Sequence, residues 1–338
     1  MRLLAIAPNW IGDALLAQPL FALLQARHPG AAIDVLAPAW TAPVLARMPE
    51  VADVLPTRFE HGRLALSERW RLGRSLRGRY DAAWVLPNSL KSALVPFFAG
   101  IPRRVGFVGE QRFGLLNVLH RLDEQRLPLM ADRYAQLAVA PGEPVPAPLP
   151  QTRLRVDAAN RDAALARLGL DASRPVVAFC PGAEYGPAKR WPAEHFAALA
   201  GTLAAKGRQV WLFGSAKDQP AADAILAAAP HAGITSLCGR TDLATAIDLL
   251  SRAAAVVAND SGLMHVASAL GRPLVALYGS SSPAHTPPLD PRARLVWLQP
   301  ECSPCYAREC PLGHFRCMRE LRPAQVLAEL DSLATVNA

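Results

Sequence analysis

The sequence predicts an α/β protein made of two Rossmann-like, doubly wound domains that face each other across a cleft. Three observations predict this class. Apolar runs alternate with helical patterns in both halves, a proline-rich stretch separates the halves, and several strands end in short polar breaks. A length of 338 residues suits two domains better than one, and 51% hydrophobic residues are enough for two cores.

The first half contains five predicted strands joined by helical segments. The strands are LLAIAP (3–8), AIDVLAP (32–38), ADVLP (52–56), AAWVLP (82–87) and RRVGFV (103–108). Apolar residues recur at helical spacing in DALLAQPLFALLQARHP and in LSERWRLGRSLRGRY. Repetition of strand, helix and strand predicts a parallel sheet with helices on both faces.

The stretch APGEPVPAPLPQ (140–151) contains five prolines, which predict a stiff linker. The pattern then resumes with PVVAFCPGA (175–183), QVWLFGS (209–215), ITSLCGR (234–240), AAVVAND (254–260) and PLVALYG (273–279). Helical patterns in PAEHFAALAGTLAAKG and LATAIDLLSRAA lie between these strands. We therefore expect an N-terminal domain (1–150), a C-terminal domain (151–322) and a closing helix (323–338).

The formal net charge is +8, and only four residues are lysines. Either an arginine-rich composition or an anionic partner explains this charge. Two classes of protein are disfavoured: no G-x-G-x-x-G follows a strand, and no phosphate-loop motif occurs. An aromatic-rich basic module is also missing, so we expect no nucleic-acid partner. No apolar run reaches membrane-spanning length, and MRLLAIAPNWIGD is interpreted as a first strand, which favours a cytoplasmic protein.

Three strand-end breaks carry the candidate chemistry. In APNWIGDALL, Asp13 follows Gly12 at a helix start, where it is either an N-cap or an ionised carboxylate able to accept a proton. In FCPGAEYGPAKRWP, Lys189 is either a solvated loop lysine or a point charge for a diphosphate.

The third break is VVANDSGLMH, where a strand meets a helix. Asp260 is either the helix N-cap or a ligand of hydroxyl groups, and the helix start at Ser261 and Gly262 suits an anion. His265 is either a satisfied core histidine or a neighbour of the bound group.

Four stretches together strongly resemble the ADP-heptose:lipopolysaccharide heptosyltransferases. They are PNWIGDALLAQPL, LPNSLKSALVPFFAGIPRRVGF, PGAEYGPAKRWP and NDSGLMHVASALGRPLVALYGSSSP. Within that family, the second and third stretches are most similar to the heptosyltransferase II group. The resemblance covers essentially the whole chain and implies a GT-B fold with no cofactor or metal. It also implies inverting transfer of L-glycero-D-manno-heptose from ADP-heptose to heptosyl-Kdo2-lipid A, at its first heptose.

The resemblance further implies roles for single residues. Asp13 matches the general base, and Lys189 matches the lysine that neutralises the diphosphate. The donor-binding set implied by the resemblance is Lys189, Asp260, Ser261, Gly262, His265 and Glu184. Glu184-Tyr185 stands where heptosyltransferase I-like sequences carry Thr-Thr, which favours the second enzyme and leaves the contacts of Glu184 open.

We expect the acceptor to contact the first domain, because its Kdo carboxylates and lipid A phosphates suit arginine. The predicted acceptor residues are Asn9, Gly12, Asn88, Lys91, Arg103 and Arg104, with Arg112 as a further member of the basic stretch. The alternative for this stretch is a solvated loop. The net charge also favours peripheral contact with the anionic inner membrane face.

Four cysteines cluster in CSPCYARECPLGHFRC (302–317), with spacings of two, four and six residues. Reduced thiols in a surface loop are the expected state, and a structural zinc site is the alternative. For function, the alternatives are heptosyltransferase I, a later core heptosyltransferase, a nucleotide-sugar epimerase and a non-catalytic nucleotide-binding protein.

Overall fold

The computed structural model describes residues 1–59, 62–230 and 233–336. The chain divides into two compact units, Met1–Thr152 and Arg153–Ala338. Each unit contains one six-stranded, fully parallel sheet. The predicted α/β class, with strands and helices alternating in both halves, is confirmed.

The first unit has six strands: β1 (Arg2–Ile6), β2 (Ala32–Pro38), β3 (Val51–Thr57), β4 (Ala82–Val85), β5 (Arg103–Phe107) and β6 (Val118–His120). They lie in the order β3-β2-β1-β4-β5-β6. The helices are α1 (Ile11–Leu16), α2 (Gln18–Arg27), α3 (Ala42–Ala46), α4 (Leu66–Ser75), α5 (Leu94–Phe98) and α6 (Met130–Gln136).

The second unit has the strands β7 (Val176–Cys180), β8 (Gln209–Leu212), β9 (Ile234–Ser236), β10 (Ala255–Asn259), β11 (Leu274–Tyr278) and β12 (Arg294–Trp297). Their order is β12-β11-β10-β7-β8-β9, which repeats the topology of the first sheet. The helices are α7 (Ala158–Leu168), α8 (Ala193–Ala205), α9 (Gln219–Ala228), α10 (Leu243–Leu250), α11 (Gly262–Ala269), α12 (Arg316–Arg319) and α13 (Pro323–Val336).

The central strands are buried along most of their length because helices cover both faces of each sheet. β7, β10 and β11 are buried at every residue, which explains why they read as continuous apolar runs in the sequence. In both units the strand order reverses next to the first strand: β1 pairs with β2 and β4, and β7 pairs with β8 and β10. Loops leaving the carboxyl ends of β1 and β4, or of β7 and β10, therefore diverge and leave a crevice.

All ten predicted strands are present, but β6 and β12 were not expected. The helical pattern after β1 forms two helices rather than one, divided at Ala17. Pro19 lies at the start of α2, where its missing N–H costs no helical hydrogen bond. The closing helix is observed as far as Val336, and the last two residues of its prediction lie outside the described residues.

The described residues 137–157, between α6 and α7, contain no helix or strand. Among the residues that the structure describes, no helix has both the length and the apolar character needed to cross a bilayer.

Candidate active site

In the first unit, a pocket of about 230 Å³ lies at the crevice between the loops that follow β1 and β4. Parallel α/β sheets bind ligands at this point because no helix crossover fills it. The lining residues come from the loop after β1, the loop after β4, the end of β5 and the region of α6: Pro8, Asn9, Trp10, Asp13, Leu86, Pro87, Asn88, Phe107, Leu122, Met130, Arg133 and Tyr134. Three predicted site residues, Asp13, Asn9 and Asn88, are therefore brought together.

Asp13 lies in the first turn of α1, and the N-cap of that helix is Trp10. The N-cap interpretation of Asp13 is therefore wrong. A carboxylate in the first turn is stabilised in its ionised form by the helix dipole. Asp13 is also close to Tyr134, since burial, followed by the Asp13 charge, raises the pKa of that phenol well above its usual value.

Asn88 is held in place by Arg112, whose guanidinium donates to Asn88 Oδ1 at 3.3 Å. The same guanidinium donates to the carbonyl oxygens of Pro87 and Phe107, which follow and end strands β4 and β5. Arg112 is 1% exposed, and burial lowers its pKa to about 10. Both sequence interpretations of Arg112, a solvated loop residue and an acceptor contact, are wrong. This residue is buried, and its hydrogen bonds hold the loops of the pocket in place.

The other predicted acceptor residues do not line this pocket, as far as the described residues show. Gly12 lies in the first turn of α1, and Lys91 lies in a 3₁₀ turn after β4. Arg104 donates to the carbonyl oxygens of Leu115, Ile101 and Gly114 at 2.6, 2.5 and 3.3 Å. Its guanidinium is thus committed to the backbone, whereas Arg103, the first residue of β5, is exposed.

The pocket residues that the sequence interpretation missed include Trp10, Arg133 and Tyr134. Arg133 supplies a cation to the pocket lining, and its Nε donates to the Leu127 carbonyl at 2.8 Å. A basic residue beside an aromatic one in the helix MADRYAQ was the available signal.

In the second unit, Lys189 and Asp260 meet at the equivalent crevice. Lys189 ends a 3₁₀ turn in the loop after β7, and Asp260 directly follows β10. Lys189 Nζ lies 2.6 Å from Asp260 Oδ2, and the two side chains are 17% and 6% exposed. Lys189 is therefore not a solvated loop lysine, and its partner is the carboxylate predicted to share its site.

A serine that the sequence interpretation missed completes this arrangement. Ser281 Oγ donates to Asp260 Oδ2 at 2.5 Å and is buried. It belongs to the buried run Ser280–Ser282 after β11, where Ser280 Oγ has no hydrogen-bond partner among the described residues. Three consecutive serines after an apolar strand, in ALYGSSSP, were the available signal.

Asn259 ties the two loops of this crevice together. Its Oδ1 accepts from the Trp191 N–H at 3.1 Å, and its Nδ2 donates to the Pro181 carbonyl at 2.7 Å. Because Pro181 and Trp191 flank the lysine loop, this fully buried side chain fixes both ends of that loop. The position of Lys189 thus depends on the residue that precedes Asp260.

Helix α11 begins at Gly262 with Ser261 as its N-cap. The interpretation of Asp260 as N-cap is therefore wrong, and the Ser261 side chain makes no capping bond. The Met264 N–H donates to the Ser261 carbonyl at 3.2 Å, whereas the Gly262 and Leu263 amides of this turn have no acceptor within the helix, so the turn suits an anion. His265, one turn later, is 5% exposed, and burial lowers its pKa to about 4, with Lys189 adding to the decrease and Asp260 opposing it.

Glu184 is paired with Lys217 at 2.6 Å, and both side chains are exposed. The structure thus gives Glu184 a surface partner and no contact with Asp260 or Lys189 among the described contacts. Its role in donor binding stays a prediction.

The four clustered cysteines are free thiols. Burial raises the pKa of Cys317, and the charges of Cys305, Cys302 and Cys310 raise it further. Within the described ranges, no group of three or more His, Cys, Asp or Glu side chains is arranged to hold a metal ion.

The model of glycosyltransferase family 9 (heptosyltransferase) matches residues 69–316, which is most of the chain. The chain belongs to this family. Lipopolysaccharide heptosyltransferase 2 of Escherichia coli strain K12 is 48% identical over 98% of both chains. Lipooligosaccharide heptosyltransferase 2 of Haemophilus influenzae is 42% identical over 98% of this chain and 99% of its own.

Among solved structures, the ADP-heptose lps heptosyltransferase II of E. coli matches with a TM-score of 0.90 and 47% identity, over 100% of both chains. The glycosyltransferase family 9 likeness therefore extends over both units. It confirms the predicted GT-B fold class, the glycosyltransferase activity class and the resemblance to the heptosyltransferase II group. The roles of single residues stay predictions.

Proposed function

We propose that this chain transfers L-glycero-D-manno-heptose from ADP-heptose to the first heptose of the lipopolysaccharide inner core, as a heptosyltransferase II. The observation that carries this proposal is the 48% identity over nearly the full length of an enzyme of that name. The pair Glu184-Tyr185, in place of Thr-Thr before the lysine, favours the second enzyme over the first.

Lys189, Asp260 and the start of α11 support donor binding in the second unit. An ammonium and a row of helix-start amides suit the diphosphate of ADP-heptose. A carboxylate that already accepts from Lys189 and Ser281 is oriented to accept from sugar hydroxyls as well. We assign Ser261 and Gly262 to the diphosphate, Asp260 to the heptose, and His265 to the wall behind Asp260.

Asp13 supports proton removal in the first unit. In the proposed step the acceptor hydroxyl oxygen attacks the anomeric carbon of the heptose, and Asp13 takes the hydroxyl proton. The bond from that carbon to the diphosphate oxygen breaks, and ADP leaves with the electron pair, which is the inverting course. Lys189 stabilises the negative charge that develops on the leaving oxygen.

The acceptor contacts proposed for the first unit are Asn9 and Asn88 in the pocket, with Lys91 and Arg103 outside it. Two asparagine amides can donate to and accept from sugar hydroxyls, and Arg133 adds a cation at the same pocket. Arg104 is left out because its guanidinium already donates to three backbone carbonyls.

The test is a transfer assay with ADP-heptose and defined acceptors that carry zero, one or two heptoses. We expect ADP release and product with the one-heptose acceptor. Preference for the acceptor without heptose would indicate heptosyltransferase I, and preference for two heptoses a later core enzyme. A changed donor without any acceptor would indicate an epimerase, and ADP binding without turnover a non-catalytic protein.

We also propose peripheral contact with an anionic membrane surface, because the acceptor is a lipid and the net charge is +8. Co-sedimentation with vesicles that contain phosphatidylglycerol should exceed that with neutral vesicles and should decrease with salt. Equal sedimentation with both would contradict this contact.

A further inference from the structure

The ring of Tyr185 has two cations close to it in the second unit. Lys189 Nζ and Arg308 Cζ are each 5.2 Å from the centroid of this ring. Cations at this distance are attracted by the ring quadrupole. Arg308 comes from the cysteine-containing segment 302–317, so a residue distant in sequence shares an aromatic neighbour with the predicted donor lysine.

This segment is attached to the lysine loop through its backbone. The Tyr185 hydroxyl donates to the Tyr306 carbonyl at 2.8 Å, and the Ala188 N–H donates to the Arg308 carbonyl at 3.0 Å. Gly186 lies against the Arg308 carbonyl so closely that a Cβ at position 186 would overlap it. The position of the Arg308 backbone is therefore fixed relative to Lys189.

The same segment is attached to the loop that carries Ser281. The Tyr306 N–H donates to the Ser280 carbonyl at 2.6 Å, and Ser303 Oγ donates to the Gly279 carbonyl at 2.6 Å. Residues 303–308 thus join the two loops that supply the partners of Asp260.

The charge balance of this site favours a second cation for binding a diphosphate. Lys189 is already compensated by Asp260 at 2.6 Å, and the depressed pKa of His265 keeps that ring neutral near pH 7. A diphosphate carries several negative charges, and Asp260 repels it. Arg308 brings a charge that is always present and a planar fork that suits phosphate oxygens.

We propose that Arg308 is a second diphosphate-binding residue of the donor site, and that the Tyr185 ring positions Arg308 and Lys189 for it. This inference rests on the proposed function, because it takes the ligand of the site to be a nucleoside diphosphate sugar. Arg308 binds the diphosphate together with the α11 start, and Tyr185 acts through the two cations without contacting the donor.

The first test is calorimetric titration of the full chain with ADP and with adenosine, which lacks the diphosphate. Arg308→Met should weaken ADP binding by about tenfold and leave adenosine binding within about twofold. Arg308→Lys should recover part of the loss. Arg319→Met is the matched control, since Arg319 is an exposed arginine over the ring of Phe315, and it should bind ADP as the unmodified chain does.

Tyr185 is tested with two variants. Tyr185→Phe keeps the ring and loses the bond to Tyr306, so ADP affinity should stay within about twofold. Tyr185→Leu removes the ring and should weaken ADP binding by about threefold. Equal affinity of the two variants would overturn the positioning role of the ring.

The kinetic test separates an effect on donor binding from an effect on acceptor binding. In Arg308→Met, kcat/KM for ADP-heptose should decrease at least tenfold, while KM for the acceptor stays within about twofold. Wild-type ADP affinity in folded Arg308→Met, or an equal loss for ADP and adenosine, would overturn the inference. Absence of transfer by the unmodified chain would instead contradict the proposed function, and the ADP titrations would still decide the role of Arg308.

Discussion

The two units present the same sequence pattern with two structural outcomes. In each, a carboxylate follows a central strand and lies at a helix start, at the point where the strand order reverses. Asp13 is partly exposed at an open pocket. Asp260 is 6% exposed and accepts hydrogen bonds from Lys189 and Ser281. A carboxylate between a strand and a helix thus has different chemistry depending on which side chains the neighbouring loops place beside it.

The difference lies in the groups that surround the two carboxylates. Asp260 Oδ2 accepts from the Lys189 ammonium and from the Ser281 hydroxyl, which suits the ligand-orienting role that we propose for it. Asp13 lines a pocket together with the buried Tyr134, which suits the general-base role that we propose for it. The comparison is therefore consistent with the proposed roles, which are binding in the second unit and proton transfer in the first.

The largest expected effect follows from substitution of Asp13, the carboxylate of the first unit. Asp13→Asn should lower kcat by about 10²–10⁴-fold, because proton removal is lost, and should leave the dissociation constant of ADP within about twofold. The measurement is kcat by ADP release, together with ADP titration. Glu68→Gln, which alters an exposed first-turn carboxylate of α4, is the control and should keep wild-type turnover. Normal turnover of Asp13→Asn would remove the proposed base.

The next effect tests the ion pair. Lys189→Met should lower kcat by about 10²–10³-fold. It should also lower the free energy of unfolding by about 3–5 kcal/mol, since it leaves a buried carboxylate without its cationic partner. Denaturant unfolding and transfer kinetics measure the two effects. Lys206→Met, from an exposed pair with Asp331, should change neither.

The double variant Lys189→Met/Asp260→Asn separates stability from catalysis. It should regain most of the lost unfolding free energy, because the uncompensated charge is gone, and turnover should stay low. If turnover returned with stability, Lys189 would have only a structural role.

A smaller effect appears in the pH dependence of stability. His265 has a pKa of about 4 in the folded chain, against 6.5 when unfolded, because of burial. The unfolded state therefore binds a proton first as the pH decreases. The stability that depends on neutral His265 is complete above about pH 6.5 and is lost down to about pH 4, by about 3 kcal/mol. His265→Gln should flatten this decrease in urea unfolding measured from pH 7.5 to 4.5. An unchanged slope would contradict the assignment.

The smallest effect compares two adjacent arginines of β5. Arg104→Met should lower the free energy of unfolding by about 1–3 kcal/mol, because three backbone carbonyls lose their donor. Arg103→Met should change it by less than about 0.5 kcal/mol and should raise KM for the anionic acceptor in low salt. Equal stability of the two variants would remove the structural role of Arg104.

The central strands could be predicted because fully buried parallel strands are continuous apolar runs. The strands β6 and β12 could not, since they are short, lie at sheet edges and are only partly buried. Asp13, Lys189 and Asp260 were predicted from strand-end motifs. Their partners were not, because Ser281, Tyr134 and Arg308 come from segments far away in the sequence.

Arg112 shows why the local sequence pattern does not predict the burial of a cation. In GEQRFG it reads as a solvated loop residue, yet it is 1% exposed. The carbonyls that compensate its charge belong to Pro87 and Phe107, at the ends of two paired strands. Only the pairing of those strands creates an acceptor site for the guanidinium.

The sequence by itself determined two parallel α/β units, and which loops carry chemistry, because apolar periodicity and helix-start residues act over a few positions. Tertiary structure decided which of those residues contact one another. The ion pair at Asp260, the burial of Arg112 and the stacking of Arg308 on Tyr185 each join segments that only the sheet order and loop packing bring within bonding distance. Hydrogen bonds and ion pairs act over a few ångströms, so their partners are fixed by the fold rather than by sequence spacing.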